Sequence, residues 1–135
     1  MKSIIFNIDP IGKPRMVRSD VWSNRKCVSE YWRYKDELNI QAKKLNYKIG
    51  EILCILFFIK MPDSWSKKKK ERMNLLPHKS KPDTDNLVKG FIDSLTNNDS
   101  NIYEIHAKKI WSYSGKIKVF DIFDLMRQFK LIRKK

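Results

Sequence analysis

The chain has 135 residues with 41% hydrophobic content, which suits one compact domain with an ordinary core. Its formal net charge of +14, from 29 Lys and Arg against 15 Asp and Glu, favours a polyanionic partner, with nucleic acid the leading candidate; the same charge also suits an anionic membrane surface or simple solubility. No apolar run approaches the roughly 20 residues needed to span a bilayer, the longest being Ile52 to Ile59, and Asp9 interrupts the N-terminal stretch before any signal-length apolar segment. A soluble cytoplasmic protein is the expectation. Cys27 and Cys54 lack CxxC spacing, so the reading is two reduced, partly buried thiols, with no disulfide framework and no cysteine zinc site.

In chain order, residues 3–8 read as a first strand, and Asp9-Pro10-Ile11-Gly12-Lys13-Pro14 is a turn signal that opens a loop. Over residues 29–47, Tyr31, Tyr34, Leu38, Ala42 and Leu45 recur at helical spacing. Residues 51–60 form an almost unbroken apolar run of strand length, expected at the centre of a sheet. A short helix is expected over about 64–75, and a longer one over 83–95. Tyr103, Ile105, Ala107, Trp111 and Tyr113 alternate with Glu104, His106, Lys108 and Ser112, the pattern of a half-buried strand. Ser114-Gly115 reads as a hairpin turn into a partner strand over about 116–120. Ile122, Leu125, Met126, Phe129 and Ile132 fall on one helical stripe, a C-terminal helix over about 121–135. These elements predict an α+β domain spanning 1–135, with a small mixed or antiparallel sheet flanked by helices.

The most informative stretch is Lys81-Pro82-Asp83-Thr84-Asp85-Asn86-Leu87-Val88-Lys89-Gly90-Phe91-Ile92-Asp93-Ser94-Leu95, where acids gather inside a basic chain. At about 100° per residue, Leu87, Val88, Phe91, Ile92 and Leu95 share one helix face and Asp85, Lys89 and Asp93 another. Two residues turn a helix by about 200°, so Asp83 and Asp85 converge only if Asp83 is the lead-in or N-cap and Asp85 lies in the first turn. The partial positive charge of the helix N-terminus favours carboxylates there. Hard carboxylate oxygens suit Mg²⁺, which is usually held by one or two of them together with water and substrate phosphate. Asp83 and Asp85 fit that need, Asp99 is a third acid beyond the helix, and Lys89 stands one turn after Asp85 to meet charge developing on a phosphate. A plain structural reading also accounts for the spacing: an N-cap, a first-turn acid and an Asp85-Lys89-Asp93 ion-pair ladder on a solvated face.

The longer pattern resembles the RusA family of Holliday-junction-resolving endonucleases, whose hallmark is KP-D-x-DN-L-x-K-x-x-x-D-x-L followed by D-D-x-Q and a strand. Here it runs from Lys81 through Lys89, Asp93 and Leu95 to Asn98-Asp99-Ser100-Asn101-Ile102. Gly12-Lys13-Pro14-Arg15 resembles the family's early basic loop, and the segment from Trp65 through the lysine run to Pro77-His78 is similar to phage-type members. The resemblance covers about residues 3–120 and implies a RusA-like fold and a two-fold homodimer that nicks opposed strands of a four-way junction with Mg²⁺ or Mn²⁺. By position it assigns catalysis to Asp83, Asp85, Asp99 and Lys89, with Asp93 a further acid at the metal. Asn98 and Asn101 depart from the pattern, and Asn98 brings a carbonyl oxygen without charge. No organic cofactor and no membrane partner are expected.

Binding to branched DNA rests on phosphate neutralisation. The candidate contacts are Lys13, Arg15 and Arg18, then Lys67, Lys68, Lys69 and Lys70, then Lys79 and Lys81; a lysine run is equally a solvated helix face. Lys108 and Lys109 point to opposite strand faces, so one at most shares a surface with the site. Trp22, Trp32, Trp65 and Trp111 are expected in core or dimer packing, His78 in an exposed loop, and His106 as an outward strand residue. The alternatives are a non-catalytic basic nucleic-acid-binding module, a nuclease acting on flaps, forks or structured RNA, and a basic protein-interaction adaptor.

Overall fold

The structure, a computed structural model, describes residues 3–21 and 25–120. Trp22 and the helix expected over 121–135 lie outside the described residues. Four strands, β1 (Ser3–Phe6), β2 (Ile52–Lys60), β3 (Glu104–Ser112) and β4 (Lys116–Phe120), form one mixed sheet in the order β1-β4-β2-β3. Three α-helices accompany it: α1 (Lys26–Lys44), α2 (Lys67–Met73) and α3 (Thr84–Leu95). This is the expected α+β class with a mixed sheet.

As its composition requires, β2 is interior, parallel to β3 on one side and antiparallel to β4 on the other. Leu53, Ile55 and Phe57 alternate toward the main core, while Cys54 and Phe58 are buried on the opposite face, where the Lys116 ammonium stands over the Phe58 ring. From α1 come Tyr31, Tyr34, Leu38 and Ala42, and from α3 come Leu87, Val88, Phe91 and Ile92, all in one cluster with the sheet. The Phe6 ring lies edge-on to Tyr47 and Phe91 at centroid distances of 5.5 and 5.7 Å, tying β1, the segment after α1, and α3 together. Burying each such large side chain contributes about 1.5–3 kcal/mol, so the apolar face of α3 is fixed by packing and its polar face is left to chemistry.

Four expectations require correction. β4 is not the hairpin partner of β3: residues 113–115 carry the chain over the end of β2, and β4 pairs with β2 and β1 instead. The long apolar β2 takes the middle position because both of its faces must be covered. Along β3 the buried residues are Ile110 and Ser112, not the Tyr103, Ile105, Ala107 and Tyr113 set, of which Tyr103 is 70% exposed. β3 is an edge strand of the described sheet, and its side chains from Glu104 to Lys108 are all exposed among the described residues, so alternation there does not report burial. Leu45, expected on the buried stripe of α1, is exposed, because the helix ends at Lys44 and the inward role passes to Tyr47. Both cysteines are free thiols, but Cys27, expected to be partly buried, is exposed near the start of α1, while Cys54 is buried in β2.

Gly90 lets the loop after β1 lie directly on α3. A Cβ there would meet the Ile11 carbonyl oxygen at 2.8 Å and the Lys13 nitrogen at 3.1 Å, both main-chain atoms. Gly90→Ala gains about 1 kcal/mol of helix propensity, yet overpacking against backbone costs about 1–3 kcal/mol. Net destabilisation is expected, read as a lower urea midpoint with an unchanged m-value.

Candidate active site

The acidic helix is delivered by a segment that behaves as an irregular extra strand. Residues 75–78 run along the free edge of β3: Leu75 N–H donates to the Trp111 carbonyl at 2.9 Å, Trp111 N–H to Leu76 at 3.0 Å and His78 N–H to Lys109 at 3.1 Å. Past His78 the main-chain pairing stops, and the Lys109 side chain takes over. Its ammonium donates to the Ser80 carbonyl and, at 2.6 Å, to the Pro82 carbonyl. Asp83 follows as the N-cap of α3, in extended conformation, its carbonyl accepting from Leu87 N–H at 3.0 Å while its carboxylate caps nothing. Asp85 lies in the first turn, where one carboxylate oxygen accepts from Asn86 N–H at 2.9 Å.

The basic loop of residues 9–15 crosses α3 through two glycines. Gly90 admits its backbone, and a Cβ on Gly12 would meet the Asn86 side-chain nitrogen at 2.7 Å. This close seating brings the Lys13 ammonium to 2.6 Å from the Asp93 carboxylate. The hydrogen bond that Lys13 donates to Asp93 holds the Lys13 pKa above its ordinary value of 10.5 despite partial burial, and Asp99 adds to the effect. Farther along, Arg25 grips Asp20 with Nε and Nη2 at 2.7 and 2.8 Å and also donates to the Arg15 carbonyl. The Arg25 hydrogen bond, helped by Val17 N–H, lowers the Asp20 pKa to about 2. The loop carrying Arg15 and Arg18 is therefore braced at both ends.

Between α3 and β3 lies a cleft of about 730 Å³ whose walls include Asp85, Lys89, Asp93 and Asp99, with Val88, Ile92, Ile105 and Ala107 as its apolar floor. Lys89 also borders a recess of about 440 Å³ on its other side, shared with Lys13, Arg15 and Asn86. Asp99 begins a 3₁₀ turn, Asp99–Asn101, beyond the end of α3. The structure thus brings Asp85, Asp93, Asp99 and Lys89 to one cleft, while Asp83 stands exposed at the helix entry and is not among its lining residues.

A sequence model of the endodeoxyribonuclease RusA family matches residues 7–120. The chain belongs to the RusA endodeoxyribonuclease family. No curated protein matches it. The matched span takes in the basic loop, the acidic helix, Asp99 and all of β3 and β4, so every element that builds the cleft lies inside the RusA region.

The donor set limits how a divalent metal can be held. Among the described residues, no three His, Cys, Asp or Glu side chains stand together so as to hold an ion. Asp93 is engaged by Lys13, whereas Asp85 and Asp99 take part in no ion pair among the described residues. Two carboxylates fit Mg²⁺ when water and substrate phosphate complete the shell. Asn98, which replaces a family acid, turns its side-chain oxygen toward the Ser100 hydroxyl. The ladder reading of α3 is replaced in part: Asp93 pairs with Lys13 across the fold.

Of the remaining candidates, Lys67, Lys68, Lys79 and Lys81 are exposed, and Lys69 lies 4.2 Å over the Trp65 ring. Trp65 packs on Trp111 with tilted rings at a centroid distance of 4.7 Å, and Trp32 is exposed. His106 is exposed as expected, 3.0 Å from Glu104. His78, expected in an exposed loop, is 4% exposed and packs on Trp111 at 4.2 Å. Pairing of residues 75–78 with β3 draws it inward, a tertiary effect with no local signal. Lys109 is the other residue whose role the sequence does not disclose: its partners are main-chain carbonyls, invisible to charge patterning.

Burial, with the Lys109 charge second, holds the His78 pKa below its ordinary 6.5. The unfolded chain then binds a proton that the folded chain refuses, so stability is lost as the pH falls below 6.5. Comparing thermal unfolding at neutral and mildly acidic pH should show a steeper loss for the wild-type protein than for His78→Phe.

Proposed function

We propose that this RusA-family protein resolves four-way DNA junctions by divalent-metal-dependent phosphodiester hydrolysis. The observation that carries the reading is that Asp85, Asp99 and Lys89 line one cleft in a chain otherwise strongly basic. Such a place admits a polyanion only where its phosphate meets cations, and local carboxylates there call for a metal between them and the phosphate.

Asp85 and Asp99 would hold Mg²⁺ or Mn²⁺, with Asp83 at the helix entry as a further acid and Asp93 set apart by its Lys13 pairing. When bound, the ion supplies Lewis-acid stabilisation of phosphate oxygens and a more acidic water. Lys89, on the rim of both recesses, offsets charge that develops on the phosphorus oxygens. Arg15, Arg18, Lys67, Lys68, Lys69, Lys70, Lys79 and Lys81, with the Lys13 loop, neutralise the phosphates of the junction arms and set register without reading sequence. A two-fold homodimer places two such clefts on opposed strands and gives paired nicks. The protein acts on DNA in the cytoplasm.

Asp85→Asn removes a charge from the cleft without changing side-chain size. It should abolish nicking of a synthetic four-way junction in Mg²⁺ while gel-shift affinity in chelator stays near wild type; normal turnover by this variant would refute the assigned role. Flap, fork and linear duplex substrates cleaved side by side with the junction establish substrate choice, and equal rates on all of them would remove junction specificity. Junction affinity should also fall steeply between roughly 50 and 200 mM salt, by orders of magnitude if several phosphates are contacted.

A further inference from the structure

We propose that Lys109 is a positioning residue for the acids at the start of α3, acting through the backbone of residues 80–82; this rests on the active-site reading above. Its ammonium has no carboxylate partner among the described residues and is instead committed to two carbonyl oxygens, those of Ser80 and Pro82. A lysine tied to carbonyls is unusual in a chain where lysines have abundant solvent. Here the reason is local. Pro77 and Pro82 carry no N–H, so the segment beside β3 cannot continue as a strand ladder into the helix. Main-chain pairing ends at the bond from His78 N–H to the Lys109 carbonyl, and the side chain of that same residue extends the hold by two further anchor points. The second anchor is the residue directly before Asp83 and two before Thr84, the first residue of α3.

Charge-assisted hydrogen bonds of this kind are stronger than neutral ones. Both ends of the brace are fixed: Lys109 is half-buried on β3, whose register with β2 places it opposite Phe57 in the core. The direction in which the first turn of α3 enters the cleft is thereby referenced to the sheet. Without the brace, the Ser80 and Pro82 carbonyls turn to water, and Asp83 and Asp85 lose their fixed relation to Asp99, which hangs from the opposite end of α3. The apolar face of α3 keeps the helix docked, so the effect falls on geometry and not on folding.

The test compares Lys109→Met, which keeps the length and loses the donor, with Lys109→Arg, which keeps charge and donors. For Lys109→Met the cleavage rate at saturating protein should fall roughly 10- to 100-fold, the range typical of residues that orient metal-site ligands. Junction affinity in chelator and the melting temperature should stay close to wild type. Mn²⁺ binding to the DNA-free protein, followed by electron paramagnetic resonance, should weaken in parallel, and amide hydrogen exchange over residues 83–87 should quicken. Lys109→Arg should recover most of the rate. Wild-type cleavage by Lys109→Met beside an inactive Asp85→Asn overturns the positioning role alone. Normal cleavage by Asp85→Asn overturns the active-site reading and this role with it. A joint fall of rate, affinity and melting temperature, with no recovery in Lys109→Arg, overturns it in favour of a general structural part.

Discussion

The seating of the basic loop on the acidic helix is the constraint on which the rest depends. Gly90 removes a Cβ that would strike the loop's main chain, Gly12 removes one that would meet the Asn86 side chain, and the loop then lies directly on α3. Only at that distance does the Lys13 ammonium reach Asp93. The pair is partly exposed, so its own contribution to stability is modest; its consequence is the assignment of charges. Asp93 is paired within the fold, and Asp85 is left on the cleft wall without an ion-pair partner among the described residues.

Around this contact the structure separates two tasks. Burial of Leu87, Val88, Phe91 and Ile92 with Phe6, Tyr31 and Tyr34 fixes where α3 lies. Inside the helix, the Gly90 carbonyl accepts from the Ser94 hydroxyl at 2.6 Å and from the Tyr31 hydroxyl at 3.2 Å, so its buried polar atoms are satisfied. Hydrogen bonds from β3 determine where the helix begins.

Much of this was legible in the residues themselves. The composition of β2 announced an interior strand, and the 3.6-residue spacing of α3 separated a packing face from a polar one. The RusA resemblance rested on the order of acids, lysine and asparagine, and the family match covers the same region. What escaped was set by tertiary relations. Asp93 sits four residues from Lys89 but pairs with Lys13, 80 positions away, because a glycine contact brings the loop there. Ser114-Gly115 has hairpin chemistry, yet the central demand of β2 separates the strands that it links. His78 and Lys109 were opaque because their surroundings are built from backbone atoms and a distant tryptophan.

The sheet also ends unevenly. Residues 75–78 cover the outer edge of β3 near Lys109 and Trp111, whereas from Glu104 to Lys108 the peptide groups that point away from β2 have no main-chain partner among the described residues. That open portion carries Glu104, His106 and Lys108 interleaved with Ile105 and Ala107. Acidic and basic side chains such as Glu104 and Lys108 on a strand edge discourage the lateral addition of foreign strands. The same stretch therefore reconciles an apolar floor for the cleft with an edge that resists strand addition, since the polar side chains that guard against unwanted self-templating alternate with the carbons that line the site.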